Sequence, residues 1–272
     1  MHLNFKRLTL YPWGNFLFLF FFTFSPPALG QYKDKFQTYY ERNGHNRTPR
    51  YAETVEFSKL LATNSSMVNY LSIGVSPQGR DIPLLILDKD GLTNPEEIRA
   101  KGRVLVLAEA SIHAGEPDGK DAGLMLIRDI AINGKHRDIL ERASLLFIPI
   151  INVDGHEDFG SHYRINQNGP LEVGARFTSH RLNMNRDFIK ADAPETRALL
   201  KLYGKWMPEI FIDIHVTNGA DFQYVSTYGL DHCGFLARPM LNWSKTIFEE
   251  ELKSSMYRAG YRFFPYFAFD SY

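Results

Sequence analysis

The stretch Val104-Leu105-Val106-Leu107-Ala108-Glu109-Ala110-Ser111-Ile112-His113-Ala114-Gly115-Glu116-Pro117 decides how the chain is read. It opens with an apolar run of strand length, Val104 to Ala110. Directly after the run come an imidazole and a carboxylate three residues apart, His113 and Glu116. Pro117 then suits an early helical position, and Leu124, Ile127 and Ala131 recur at helical spacing to about Asn133. A strand, a turn carrying polar chemistry and a helix make the repeating unit of an α/β sheet. Such sheets place their ligand crevices at the carboxyl ends of the strands.

Outward from this unit, Tyr51 to Ala62 reads as a helix with Val55, Leu60 and Leu61 on one broad face. Val68 to Val75 and Ile82 to Leu87 read as two strands. Between them Ser76-Pro77-Gln78-Gly79-Arg80 is turn chemistry, so the pair is expected to form a hairpin. Asp88 to Lys101 reads as a polar connection. Leu145 to Ile151 is a second buried strand, ending in Asn152-Val153-Asp154-Gly155. Phe159 to Asn185 is Gly- and Asn-rich, too long for a simple connection and therefore expected to be functional. A helix begins near Pro194 with Leu199, Leu202 and Trp206 on one face, and Ile210 to Ile214 is a third buried strand. Near-continuous apolar strands alternating with helices predict an α/β fold: a mixed, mainly parallel central sheet flanked by helices on both faces.

Lysine and arginine balance aspartate and glutamate, 31 against 31, which points away from nucleic acid or an anionic membrane as the main partner. The single cysteine, Cys233, excludes an intrachain disulfide framework and reads as a small buried hydrophobe. Residues 1–30 read as a signal peptide. Lys6 and Arg7 supply the positive region, Phe16 to Phe24 the short apolar core, and Ala28-Leu29-Gly30 the cleavage pattern. The apolar core is too short to span a bilayer, which takes about 20 residues. Export without a transmembrane segment in the mature chain is expected. Residues 31–50 form an N-terminal arm and 51–272 one catalytic domain. Three Asn-x-Ser/Thr triplets, at Asn46, Asn64 and Asn242, fit the glycosylation pattern.

His113 and Glu116 at the end of one strand and His215 at the end of another make two close ligands and one distant ligand. That is the usual construction of a catalytic zinc site, with the fourth position open. Neutral imidazole and carboxylate suit zinc. A lone histidine is more often a surface or satisfied core residue, and His45, His136, His156, His162, His180 and His232 are placed there.

Several segments in fixed order resemble the M14 zinc carboxypeptidases. His113-Ala114-Gly115-Glu116 with Gly119-Lys120 resembles their zinc-binding signature, and Asn152-Val153-Asp154-Gly155 their Asn-Pro-Asp-Gly segment. Asn185-Arg186-Asp187-Phe188 resembles their Asn-Arg-Asn-Phe segment, and Asp213-Ile214-His215 the strand with the third ligand. The residues from Ser72 to Arg80 resemble the hairpin before the catalytic core. The resemblance implies one zinc ion held by His113, Glu116 and His215. It implies hydrolysis of the C-terminal peptide bond of a peptide or protein whose free carboxylate is gripped by Asn185 and Arg186. An upstream arginine would stabilise the oxyanion, with Arg164 as the candidate and Arg176 and Arg181 as rivals. Asn183 stands where many members have an aspartate that orients a zinc-bound histidine, and Asp213 is positioned to compensate.

The family takes its general base from a glutamate on a late strand, and no convincing counterpart follows His215. Glu249, Glu250 and Glu251 beside Lys253 read as a solvated helix face. The aromatic-rich ending leads to the expectation that the catalytic domain, and with it the sheet, is incomplete at its C-terminal end. Two further readings stay open. One is a non-catalytic remnant that binds zinc. The other is a zinc amidohydrolase or deacylase acting on acyl-amino acids or cell-wall peptides.

Overall fold

A computed structural model describes residues 35–219, 222–230 and 236–266. The expected signal peptide, Cys233 and His232 lie outside the described residues.

The short helix α1 (Tyr39–Arg42) is closed by a capping box between Thr38 and Glu41, and α2 (Tyr51–Asn64) follows. The hairpin is present: β1 (Val68–Val75) pairs antiparallel with β2 (Asp81–Leu87). The polar connection after β2 holds a helix the sequence reading missed, α3 (Pro95–Ala100). Asn94 accepts from the amides of Glu96 and Glu97, and Pro95 starts the first turn. Next come β3 (Val104–Ala110), α4 (Asp118–Ala131) and β4 (Ala143–Ile148). β4 stops short of the expected Ile151 because Pro149 has no N–H for a ladder. The segment after it turns into the short helix α5 (Val153–Glu157). The long Gly-rich stretch forms the small antiparallel pair β5 (Phe159–Gly160) and β6 (Val173–Gly174). Helix α6 (Pro194–Trp206) leads into β7 (Ile210–Ile214). Farther on, β8 (Ser226–Tyr228) and β9 (Phe263–Pro265) pair in parallel. Between them lie α7 (Arg238–Trp243), a π-turn at Ser244–Phe248 and α8 (Glu249–Arg258), where Lys253 pairs with Glu249 at 2.7 Å.

The main sheet runs β1-β2-β4-β3-β7. β4, β3 and β7 are mutually parallel, whereas β2 is antiparallel to both its neighbours. Alternation along the strands divides the core between two faces. Ile82, Leu84, Ile86, Leu105, Leu107, Leu146 and Ile148 face Leu199, Leu202 and Trp206 of α6. Leu85, Leu87, Ala108, Ala110 and Phe147 face Phe57 and Leu61 of α2 with Leu124 and Ile127 of α4. The mixed α/β sheet between helices is therefore as expected.

The third strand is corrected. Among the described residues β7 is an edge, paired only with β3, and Phe211 and Ile212 remain 37% and 42% exposed. Its sequence, apolar at four of five positions, does not separate an edge from a centre.

Candidate metal centre

The centre is built at the carboxyl ends of β3 and β7. After β3 the chain turns sharply through Ser111, whose φ of 59° is left-handed, and this aims His113 back over the sheet end. Two glycines let the pieces approach. A Cβ on Gly115 would stand 2.7 Å from Arg164 Cγ and 3.0 Å from the Gly174 carbonyl. One on Gly119 would stand 2.5 Å from Ile214 Cγ2, so the first turn of α4 presses directly on the strand that delivers His215. This is a physical reason for glycine at both places in the motif.

His113, Glu116 and His215 meet, each offering a ligand atom within 4.8 Å of the others. His113 Nδ1 lies 3.0 Å from Glu116 Oε1, and His215 Nδ1 lies 2.8 Å from Glu116 Oε2, which also accepts from the Val216 amide at 3.0 Å. The outer ring nitrogens are held from behind. His113 Nε2 faces Asn183 Oδ1 at 3.3 Å and His215 Nε2 faces Asp213 Oδ2 at 2.9 Å. An Nε2–H donated outward leaves each Nδ1 to face inward, the orientation of metal-binding histidines. The donor set, two imidazoles and one carboxylate, fits zinc. Asp213 thus supplies the negative outer partner for His215, while His113 has only the amide of Asn183.

The charges are tightly coupled. Burial works against ionisation of Glu116, yet hydrogen bonds from His113, His215 and Val216 prevail and hold its carboxyl far below the ordinary range. Burial likewise opposes the charge on His215, but Asp213 and Glu116 raise its pKa to about 9. A cation taken up at Nδ1 must displace that proton. Behind the centre, Glu109 of β3 lies beside Asp213 in register, fully buried, with neither oxygen hydrogen-bonded. Burial, reinforced by Asp213 and opposed by His215, pushes Glu109 well above the usual carboxylate range.

Two other motifs act as fasteners. Asn152 donates to the carbonyls of Ile112 and Arg176 and accepts from the Gly155 amide, so it ties the His113 turn to the arginine loop. Asp154 accepts from Ser76, the Gln78 amide, Arg80 and Ser179, which locks the hairpin turn to the same loop.

The arginines differ in their surroundings. Arg164 is 10% exposed. Its Nη1 lies 3.1 Å from Glu116 Oε1, and its Nη2 donates to the Thr217 carbonyl. Arg176 is 34% exposed, with Nη1 at 3.9 Å from the same carboxylate oxygen. Arg181 lines a separate cavity beside Asp154. Asn185 Nδ2 lies 3.3 Å from His215 Nε2, and Arg186, exposed, donates to the Asn185 carbonyl. Asn185 is therefore at the centre, and Arg186 is near enough to Arg176 to act on it electrostatically. The Val216 amide and Glu109 were not singled out from sequence. An amide has no side-chain signature, and an acid within an apolar strand was the available signal for Glu109.

Comparison with known proteins bears on the family and the fold. The profile of the family described as zinc carboxypeptidase matches residues 54–254. Carboxypeptidase 2 of Trichophyton rubrum is 28% identical over 233 residues, which is 80% of this chain and 40% of that protein. Its counterpart in Trichophyton equinum is 25% identical over 236 residues, again 80% of this chain and 40% of that protein. The chain thus spans about two fifths of the length of the curated relatives it matches. Among solved structures, a putative carboxypeptidase A from Shewanella denitrificans superimposes with a TM-score of 0.61 at 16% identity, covering 81% of this chain and 52% of that one. Carboxypeptidase A of Helicoverpa armigera gives 0.57 at 17%, covering 78% and 55%. Those two likenesses speak for the fold, and the profile match speaks for the ancestry: the chain belongs to the zinc carboxypeptidase family.

Proposed function

We propose that the chain carries the zinc-holding and carboxylate-gripping part of an enzyme that removes C-terminal residues from peptides or proteins. One observation carries the reading: two inward Nδ1 atoms and one carboxylate converge while Asp213 and Asn183 hold the outer ring nitrogens. His113, Glu116 and His215 would hold one zinc ion, which when bound would supply Lewis-acid chemistry for hydrolysis of the scissile bond. Asn185 and Arg186 grip the free carboxylate of the substrate, the planar guanidinium pairing with both its oxygens. Of the arginines, Arg176 is the better placed to steady the developing oxyanion, being more exposed and held at the centre by Asn152. Arg164, buried and engaged by Glu116 and the Thr217 carbonyl, fixes the metal carboxylate instead.

Among the described residues the carboxylates that touch the two ligand histidines are Glu116 and Asp213, both already committed to them. Neither is assigned as the general base. The commitment of both acids supports a second reading, a zinc-binding chain without turnover. The export signal in residues 1–30 and a catalytic body from residue 51 onward complete the proposal. Among the described residues no helix is long and apolar enough to cross a membrane.

The test is zinc stoichiometry paired with release of C-terminal residues from N-blocked dipeptides. One zinc per chain, lost in His113→Ala and His215→Ala, is expected, with peptide release weakened in Arg176→Lys more than in Arg164→Lys. Full zinc occupancy without release selects the second reading. Zinc retained after both histidines are replaced overturns the site.

A further inference from the structure

Glu109 is a buried acid that the ligand geometry of the centre leaves unused. On β3 it follows the alternation that turns Leu105 and Leu107 toward α6, so its side chain leaves the sheet on that same face. The parallel register sets it beside Asp213, as it sets Leu107 beside Phe211. Residues side by side in a ladder project to one face, so the two carboxyl groups are neighbours across adjacent strands.

Three oxygens there lack a hydrogen-bond donor. Glu109 is wholly buried, and neither Oε1 nor Oε2 is hydrogen-bonded. Asp213 Oδ1 is buried and equally without a donor, whereas its Oδ2 faces His215 Nε2 at 2.9 Å. Buried acceptors left without a donor are costly. Asp88 is a useful contrast. It is as deeply buried as Glu109, yet it accepts from Ser144, Arg103 and the amides of Asp90 and Leu92.

Few groups can supply the missing donor. Among the described residues no ammonium or guanidinium stands within hydrogen-bond reach of Glu109. The one group of three metal-ligating side chains among them is His113, Glu116 and His215, so a second cation would have two carboxylates alone to hold it. An ionised Glu109 would place an unpaired negative charge in the interior next to that of Asp213. A proton on Glu109 removes that charge and provides a donor at once. Burial and the neighbouring Asp213 both favour the protonated form.

We propose that Glu109 is a positioning residue of the metal centre: as a carboxylic acid it donates to Asp213 Oδ1 and so keeps Asp213 Oδ2 turned toward His215 Nε2. Asp213 stands on a strand that pairs only with β3 among the described residues, and the hydrogen bond ties its side chain to that central strand. His215 then keeps Nδ1 inward. The consequence for zinc rests on the reading of the centre given above, whereas the hydrogen bond does not.

The test begins on the zinc-free chain, with infrared difference spectra at neutral pH. Subtracting Glu109→Gln from the parent is expected to leave the carbonyl stretch of a protonated carboxylic acid. Asp213→Asn is expected to shift that band, because an amide is a weaker acceptor than a carboxylate. Zinc affinity by chelator competition follows. Glu109→Met, apolar and of similar length, is expected to weaken zinc binding about tenfold, the lower end for partners behind a metal ligand. Glu109→Gln is expected to keep the affinity of the parent, since its amide N–H takes over the donation. In an Asp213→Asn background the Met substitution is expected to cost little more, because both changes act on one contact. A purely structural role for Glu109 predicts instead that Met weakens zinc binding equally in both backgrounds. That result overturns the proposal, as does the lack of an acid band from Glu109, or a Met variant that binds zinc as the parent does. A parent that takes up no zinc refutes the reading of the centre, and the infrared comparison then decides the hydrogen bond by itself.

Discussion

The two histidines of the metal centre stand on very different ground. His113 follows β3, a central strand whose Leu105 and Leu107 are wholly buried, and is itself nearly inaccessible. His215 follows β7, an edge strand among the described residues, and is about one third exposed. One half of the centre inherits its position from the core. The other half depends on a single strand pairing, on the pressure of α4 through Gly119, and on the carboxylates of Glu116 and Asp213. A candidate metal site can thus be rigid on one side and conditional on the other.

Four measurements bear on that contrast. The largest effect is expected at the core side. Leu107→Ala should cost about 2–5 kcal/mol in denaturant unfolding. Its registered neighbour Phe211 on the edge should cost clearly less when truncated, and equal losses would erase the distinction. Next, Asp213→Asn should weaken zinc binding by about 10–100-fold in chelator competition while stability changes little, because the outer partner of His215 sets its ring orientation. The same measurement on Asn183→Ala should give a smaller loss, since an amide already supplies no charge there.

Glu109 provides the third. Its carboxyl titrates well above the unfolded value, so the folded chain keeps a proton that the unfolded chain has released. Stability contributed at that position is present below the unfolded pKa and falls as pH rises toward the folded one. Glu109→Gln should flatten this decline, giving a melting temperature above that of the parent from about pH 6 to about pH 8. Parallel melting curves across that range would show that burial beside Asp213 does not raise the Glu109 carboxyl. The smallest effect on folding is expected at the edge. Ile212→Lys should change stability by less than about 0.5 kcal/mol, yet reduce self-association in sedimentation, because the exposed edge of β7 is a template for pairing.

The hairpin, the clustering of His113, Glu116 and His215 and the helix after Pro194 were legible because each carries a local signature: turn residues between alternating runs, donors at strand ends, an apolar face at helical spacing. Helix α3 was legible in principle from Asn94-Pro95 followed by two glutamates, but its polar composition masked it. The end of β4 was legible too, at Pro149. The edge status of β7 was not, since Ile210-Phe211-Ile212-Asp213-Ile214 is as apolar as a central strand, and only the neighbours available decide where it lies. The different surroundings of Arg164 and Arg176 were also out of reach. Arg176 is tied through its carbonyl to Asn152, 24 positions earlier, and a backbone contact leaves no trace in residue type.

The ammonium of Lys120 has a further bearing on where this chain can be trimmed. It is wholly enclosed, with a pKa depressed to about 8 by burial, and its hydrogen bond goes to a main-chain oxygen in the segment just before α2. Thr48 and Phe36 of that segment are buried as well. A maturation cut ahead of Phe36 leaves this lining intact. A cut after Arg50 strips the acceptor from an interior cation and opens the floor beneath α4, so residues 36–50 behave as part of the folded body.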